Sequence, residues 1–232
     1  RAIFCKYKPM KILAIETATE ACSAALFNDG EIISRYEIAP RKHTQLILPM
    51  MDSVLAEAGV AKQSVDAVAF GRGPGAFTGL RVAVGIAQGL ALALDKPVIP
   101  ISSLAAMAQQ VLDATAHLPV TAEASFVPAI DARMGEVYWA NYNNVAGQVE
   151  LVGEEKISAP EALVESTQGK HVNFGSGWEA YHPNLMAHEV LEINDVIHNV
   201  FPSAHCIAKL AATVFEQGGA IDAADAEPVY LR

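Results

Sequence analysis

The side chains best suited to chemistry in this sequence are the acid and hydroxyls of Glu16-Thr17-Ala18-Thr19, which follow a short apolar run. Where a β-hairpin cradles a triphosphate, an acidic group positions magnesium while adjacent hydroxyls and backbone N–H groups bind phosphate oxygens. An ordinary polar turn has the same composition. Because this turn has no glycine to let a phosphate approach the backbone, Glu16, Thr17 and Thr19 are interpreted as remnants of a nucleotide site.

A similar set of residues recurs in the second half of the chain. Ala129-Ile130-Asp131 precedes a turn and a strand much as Ala14-Ile15-Glu16 does, and Phe174-Gly175-Ser176-Gly177 resembles Phe70-Gly71-Arg72-Gly73. Two features that recur in the same order predict an internal duplication. Asp131, Gly175 and Gly177 are then further remnants of the degenerate nucleotide site.

The glycine-rich segment Gly71-Arg72-Gly73-Pro74-Gly75-Ala76 matches the G-x-G-x-x-A form of a dinucleotide fingerprint. The match is incomplete, because Pro74 removes a backbone donor and the next predicted strand ends in Ser102-Ser103 instead of a carboxylate. The segment is not a P-loop either, since the nearest downstream lysine is Lys96. A tight turn that lets the following helix pack close to the sheet is the interpretation we favour.

The remaining candidate nucleophiles and metal ligands lack the necessary partners. Ser176 does not have the spacing of a nucleophile elbow, and His188-Glu189 is not followed by the second histidine of a zincin. His198 and His205 are seven residues apart and are interpreted as surface residues. We therefore predict no catalytic residue, no metal site and no cofactor of the chain's own.

The composition indicates a globular protein that does not grip nucleic acid by itself. Sixteen basic residues against 26 acidic ones give a formal charge of −10, whereas binding to phosphates needs concentrated lysine and arginine. Three cysteines without paired spacing indicate a reducing compartment, so we expect a cytoplasmic protein. The nearly apolar run 82–94, interrupted by Gln88, is predicted to be too short to cross a membrane.

The pattern of apolar residues predicts an α/β fold. Strands are expected at 11–15, 21–27, 65–70, 97–101 and 136–142, helices at 44–58, 78–94 and 203–217, and a link at 109–124. We expect a lobe at 10–105 and a second lobe at 106–232, whose final helix is able to pack back on the first. Residues 1–9 are expected to be a disordered leader or an added remnant outside the fold.

The helices at 44–58 and 78–94 are more apolar than one sheet can cover. Arg81, Gln88 and Asp95 form a narrow polar stripe on the second helix, and Gly85 and Gly89 leave room for another helix to approach. A second helix of the same chain could supply that cover. Alternatively the two helices form a partner interface, whose predicted residues are Leu46, Ile47, Met50, Met51, Val54, Ala83, Ala87 and Leu90.

Five ordered blocks of the sequence resemble the bacterial TsaB (YeaZ) family over Met10 to Arg232. These blocks are residues 12–19, 43–49, 71–81, 130–138 and 227–232. The resemblance implies a duplicated actin-like, sugar-kinase-like ATPase fold with two lobes, each with a mixed sheet flanked by helices. One departure is Glu16, which stands where the family usually has an aspartate and makes a nucleotide role for that turn less favourable.

The resemblance also implies a function. Family members pair with the larger paralogue TsaD, which holds the metal and the active site, and the ATPase TsaE joins them to modify adenosine 37 of tRNA with a threonylcarbamoyl group. We thus expect a non-catalytic pseudoenzyme subunit that meets tRNA only through the complex, with a nucleotide possible at the complex interface. The alternatives are an autonomous nucleotide hydrolase that uses Glu16 and Asp131, a peptidase, or a stand-alone homodimer formed by the two helices.

Overall fold

The computed structural model describes residues 9–116, 124–166, 171–185 and 199–232. The first sheet has the order β3-β2-β1-β4-β5, with β1 and β2 antiparallel and β1 and β4 parallel. Its strands are β1 (Lys11–Glu16), β2 (Ala21–Asn28), β3 (Glu31–Ile38), β4 (Ala67–Gly73) and β5 (Val98–Ser102). Of the predicted leader, residues 1–8 lie outside the described residues.

The second sheet repeats this arrangement in the order β8-β7-β6-β9. Its strands are β6 (Ser125–Arg133), β7 (Glu136–Val145), β8 (Gln148–Ser158) and β9 (His171–Phe174). The first two again form an antiparallel pair, and β6 and β9 are parallel, as β1 and β4 are in the first sheet. The predicted fold class, a duplicated unit with a mixed sheet in each lobe, is confirmed.

Helices α1 (His43–Ala58) and α2 (Phe77–Leu94) cover one face of the first sheet. Gly59 ends α1 in the left-handed conformation, with φ of 64°, as its place after the last apolar residue predicts. α2 has 18 residues and a mean hydropathy of 1.6, so by length and composition it could cross a membrane. Five of these residues, 77–81, precede the apolar run 82–94, and the helix packs on β4.

Two further helices, α3 (Ser103–Thr115) and α6 (Ala204–Glu216), lie between the sheets. α3 packs against β6, β7 and β8 of the second sheet, and α6 packs against β1, β2 and β5 of the first. One hydrophobic core therefore contains Ile12 of the first sheet, Phe126 of the second and Ile207 of α6. The lobes share this core, which joins them more tightly than a short linker would.

The predicted link at 109–124 is wrong over residues 109–115, because these complete α3. Ser102 caps this helix by accepting a hydrogen bond from the N–H of Ala105 at 3.2 Å, so the chain enters α3 directly from β5. Residues 117–123 lie outside the described part of the chain. The lobe boundary predicted at 105/106 falls within α3 and stays a prediction.

The smaller helices α4 (Pro160–Ser166) and α5 (Ser176–Leu185) belong to the second lobe. α5 packs on β6, where Trp178 of the helix joins Val127 and Trp139 in a separate small core. After α6 the chain forms a short 3-10 helix at Ala223–Asp225 beside α2 and then runs extended to Arg232. This last stretch lies over the N-terminal half of α2.

Candidate functional site

Glu16 ends β1 and points into the protein. Its carboxyl group is fully buried and accepts hydrogen bonds from the N–H of Ala18 at 2.6 Å and the hydroxyl of Ser103 at 2.7 Å. A Cβ on Gly71 of the neighbouring β4 would lie 2.0 Å from Glu16 Oε2, so only glycine leaves space for this carboxyl group. Glu16 therefore connects β1, β4 and α3.

The electrostatics of Glu16 follow from this enclosure. Burial raises the pKa of the carboxyl group above its ordinary value of 4.5, and the hydrogen bonds from Ala18 and Ser103 oppose that increase. A magnesium-positioning acid has to present its oxygens to the cation and its water shell. In this protein the Glu16 oxygens are buried and instead accept hydrogen bonds from Ala18 and Ser103.

The turn after Glu16 is covered by the start of α2. Thr17 donates its hydroxyl proton to the carbonyl oxygen of Gly79 at 2.8 Å, and the N–H of Ala76 donates to the carbonyl oxygen of Ala18 at 2.7 Å. A Cβ on Gly79 would lie 2.0 Å from the Thr17 carbonyl oxygen, and one on Gly75 would lie 2.4 Å from that of Ala18. These glycines let the helix approach the hairpin, which agrees with the tight-turn interpretation.

The second hairpin turn places Asp131 differently. This carboxylate is partly exposed, accepts a hydrogen bond from the N–H of Arg133 at 2.8 Å and pairs with the Arg133 guanidinium at 3.2 Å. The same guanidinium lies 3.6 Å from Glu20 of the first lobe. Arg133 therefore joins the two hairpin turns, and Glu16 and Asp131 share no hydrogen-bond partner among the described residues.

Gly175 and Gly177 also make close contacts within the chain. Gly175 has φ of +101°, and a Cβ there would lie 2.5 Å from both the Ala129 carbonyl oxygen and Met107 Cε. A Cβ on Gly177 would lie 2.9 Å from the Cβ of Ala129. Both glycines thus let the start of α5 pack on β6. Their role as nucleotide-site remnants stays a prediction.

A buried polar network that the sequence did not suggest joins the lobes beside this region. Arg72 of β4 pairs with Glu155 of β8 at 3.1 Å, and the Glu155 side chain is only 6% exposed. Tyr142 of β7 places its hydroxyl 3.4 Å from Glu155 and 3.3 Å from Ser102. Burial, with Glu155 nearby, raises the pKa of Tyr142, so its hydroxyl stays protonated and donates.

Most of the predicted partner interface is wrong, because the chain's own core contains it. Ile47, Met51, Val54, Ala83 and Ala87 are buried against the first sheet. Their period is that of a helix flank packed on a sheet, and the sequence could not tell that cover from a partner. Leu46, Met50 and Leu90 are only partly buried and remain predicted contacts.

A different side of α2 is uncovered. Apart from the backbone of α2 itself, no described atom lies within 4 Å of a Cβ placed on Gly85 or Gly89, so no other described element is in contact there. Leu92 is 61% exposed on the same side, and Arg81 continues the row one turn before Gly85. We call Arg81, Gly85, Gly89 and Leu92 the open face of α2.

The remaining candidate nucleophiles and ligands are dispersed. Within the described ranges, no three histidine, cysteine, aspartate or glutamate side chains form a group able to hold a metal ion. His188 and His198 lie outside those ranges. Cys22 and Cys206 are buried and unpaired, and burial raises the pKa of each thiol to about 11. The Ser176 hydroxyl accepts a hydrogen bond from the N–H of Asp131 at 3.1 Å.

Comparison with known proteins agrees with the fold and defines a class. Residues 30–198 match the family described as TsaD, tRNA N6-adenosine threonylcarbamoyltransferase. A solved structure of YeaZ from Pseudomonas aeruginosa superimposes with a TM-score of 0.85 at 40% identity, covering 96% of this chain and all of that one. The chain is therefore a two-lobed, actin-like protein related to TsaD.

Full-length relatives narrow the class to one family. The tRNA threonylcarbamoyladenosine biosynthesis protein TsaB of Escherichia coli K12 is 43% identical over 228 residues, covering 96% of this chain and 95% of that protein. The Haemophilus influenzae protein of the same name is 40% identical over 232 residues, covering 96% and 94%. The chain belongs to the TsaB family, and the resemblance drawn from its sequence motifs is confirmed.

Proposed function

We propose that this chain is a non-catalytic subunit of the complex that makes threonylcarbamoyladenosine at position 37 of tRNA. It binds and activates the catalytic paralogue TsaD, together with the ATPase TsaE, in the cytoplasm. The observation that carries this proposal is the filled hairpin turn. Glu16 is enclosed by Gly71 and Ser103, and the start of α2 occupies the space over Thr17 and Ala18 where a phosphate would approach.

The open face of α2 supports a role in binding. Gly85 and Gly89 lie one turn apart and have no neighbour in the part of the chain that the structure describes, so the backbone of another helix can come close, and Leu92 adds apolar surface to be buried. TsaD has a related fold, so it can offer helices of matching type. Three predicted contact residues beside this face are only partly buried and so remain able to contact a partner: Leu46, Met50 and Leu90.

Reconstitution tests the proposal. The chain is mixed with the TsaD subunit of the same organism, the mass of the complex is measured with and without TsaE and ATP, and modified adenosine in tRNA is quantified by mass spectrometry. We expect a stable pair and modification only when both subunits are present. Equal modification by TsaD and TsaE without this chain would contradict the proposal, and so would failure of the chain to bind TsaD.

Nucleotide binding by the isolated chain separates this function from an autonomous hydrolase. Because the hairpin turn is filled, we expect the chain alone to bind ATP no tighter than the millimolar range, about −4 kcal/mol. Calorimetry with and without magnesium measures this affinity. Micromolar, magnesium-dependent binding abolished by Glu16→Ala would favour the hydrolase instead.

Peptidase activity is the second alternative, since one solved structure that matches over 96% of this chain, with a TM-score of 0.83, is described as similar to peptidase YEAZ. Ser176 is the serine to test because it starts α5 beside Asp131. We expect Ser176→Ala to leave tRNA modification by the complex intact. Peptide cleavage by the purified chain that this substitution abolishes would establish the alternative.

A further inference from the structure

A cleft of about 500 Å³ lies between α2 and the extended C-terminal stretch. Its walls are Arg81, Val84 and Gly85 of α2 on one side and Glu227, Pro228 and Tyr230 on the other. The C-terminal stretch is fixed near the cleft by the N–H of Val229, which donates to the Arg72 carbonyl oxygen at 2.8 Å. The cleft thus has one cationic and one anionic side chain on an otherwise largely apolar lining.

Arg81 is held in position by two neutral aromatic side chains, without a charged partner among the described residues. Its guanidinium carbon lies 3.9 Å from the centre of the Phe77 ring, and its Nε donates to the Tyr230 hydroxyl at 3.2 Å. The Phe77 and Tyr230 rings are 5.5 Å apart, so each supports the other. Among the described residues no carboxylate oxygen comes within 4.0 Å of this guanidinium, which leaves the edge formed by its terminal nitrogens for a ligand.

An arginine fixed by stacking and by one hydrogen bond at Nε is suited to a planar anion. Guanidinium binds carboxylate through two parallel N–H···O bonds, and an arginine ordered beforehand loses little conformational entropy on binding. Phe77 is 55% exposed, and aromatic residues and arginine are the types that dominate binding energy at protein interfaces. The surroundings of Arg81 therefore fit a protein carboxylate in a partly dehydrated contact.

The cleft is continuous with the open face of α2, because Gly85 belongs to both. A helix packed over Gly85 and Gly89 passes beside Arg81 one turn away and can project a side chain into the cleft. We propose that the cleft receives an aspartate or glutamate side chain of the partner subunit, whose carboxylate binds Arg81. This inference rests on the proposed function.

Glu227 allows a second test, in which the expected change in binding affinity has the opposite sign. It lies on the wall facing Arg81, so it repels an incoming carboxylate while Arg81 attracts it. We expect Arg81→Gln to weaken binding to the TsaD subunit about tenfold or more, the size of a lost hydrogen-bonded charge contact. Glu227→Gln should instead tighten binding by up to about fivefold, a smaller effect because Glu227 would act on the incoming carboxylate through space and not through a hydrogen bond.

The experiment measures the dissociation constant of the intact chain and its TsaD subunit by calorimetry at low and high salt. Arg81→Lys keeps the charge without the planar fork and should recover only part of the lost affinity. Each variant is also melted thermally, and both charge variants should melt with the wild-type protein because Arg81 and Glu227 are exposed. Gly89→Leu, which blocks the open face away from the cleft, is the matched control.

The outcomes distinguish the cleft from the wider proposal. Wild-type affinity of Arg81→Gln, alongside lost binding of Gly89→Leu, would overturn the carboxylate site and leave the open face as the interface. Weakening by both Arg81→Gln and Glu227→Gln would also overturn it, since charge would not be the cause. If Arg81→Gln leaves subunit affinity intact but weakens tRNA binding by the complex, the ligand is an RNA phosphate. If the wild-type chain does not bind TsaD at all, the proposed function itself fails.

Discussion

The two hairpin turns of this protein occupy the same place in duplicated sheets but have opposite surroundings. In the first, Thr17 and Ala18 are buried under the start of α2. In the second, the Arg133 side chain is 75% exposed and Met134 stands at the tip of the turn with 86% of its surface exposed. The two lobes therefore share a strand order. The start of α2 covers the first turn, whereas the second turn is exposed.

The difference teaches that topology alone does not make a nucleotide cleft. Both lobes retain an acid at or near the end of the first strand and glycines at or just after the end of the parallel strand. In the first lobe the acid and Gly71 pack against each other, and in the second the acid pairs with Arg133. The same residue types thus serve packing and connection between the lobes.

The largest effect is expected where α2 touches the first turn. Gly79→Ala places a Cβ 2.0 Å from the Thr17 carbonyl oxygen, and backbone cannot move away cheaply, so we expect a loss of about 3 kcal/mol or more in the free energy of unfolding. Gly85→Ala in the same helix meets nothing within 4 Å and should stabilise by about 0.5–1 kcal/mol. Urea unfolding of both variants measures the contrast. Equal effects would mean that the turn is not held closed by this contact.

The next effect concerns the network between the lobes. Arg72→Ala removes the cationic partner of the Glu155 carboxylate, whose side chain is only 6% exposed, and leaves it only the hydrogen bond from Tyr142, so we expect a loss of about 3 kcal/mol. The double variant Arg72→Ala with Glu155→Gln should recover part of that loss, because the buried charge is gone. Thermal and urea unfolding of the single and double variants test this. No recovery would show that Arg72 acts through packing alone.

A smaller, pH-dependent effect is expected at Glu16. Because the pKa of this carboxyl group is raised in the folded protein, the folded state keeps the proton to higher pH than the unfolded chain does. The contribution to stability is full below the ordinary value of 4.5 and is lost as pH rises through the folded pKa. Glu16→Gln removes this pH-dependent contribution, so the variant should gain stability relative to wild type as pH rises. A constant difference across that range would contradict the raised pKa.

The smallest effect is expected at the exposed bridge between the turns. Arg133→Ala removes contacts to Glu20 at 3.6 Å and Asp131 at 3.2 Å, but exposed ion pairs contribute only about 0–1 kcal/mol. Adding salt should reduce even this difference. Comparison with Arg72→Ala in the same unfolding experiment is decisive, since both arginines join the lobes. A larger loss for Arg133→Ala would mean that the open turns, and not the buried network, hold the lobes together.

The main elements of the fold were predictable from the sequence, and the error at residues 109–115 has a physical cause. Gly59 ends α1, as the local pattern indicates, and α6 lies at Ala204–Glu216, within one residue of the predicted bounds. Residues 109–115, which the sequence analysis places in a link, mix apolar residues with Gln109, Gln110 and Asp113. In the structure Gln109 donates to Asp113 at 2.8 Å and accepts from the N–H of Val149 at 3.1 Å, which satisfies the polar groups within α3 and its contact with β8.

The sequence by itself determined the duplicated α/β fold, the TsaB family and the excess of apolar surface on α2, because local patterns and ordered motifs encode each of them. Only the tertiary structure decided which side of α2 is covered. Helical spacing defines an apolar flank but does not say what packs on it. In the structure Ala83 and Ala87 are buried against the sheet, while Gly85 and Gly89 contact no other described element. The close approach of Gly79 to Thr17, and the hydrogen bond from Arg81 to Tyr230, likewise join residues distant in the chain.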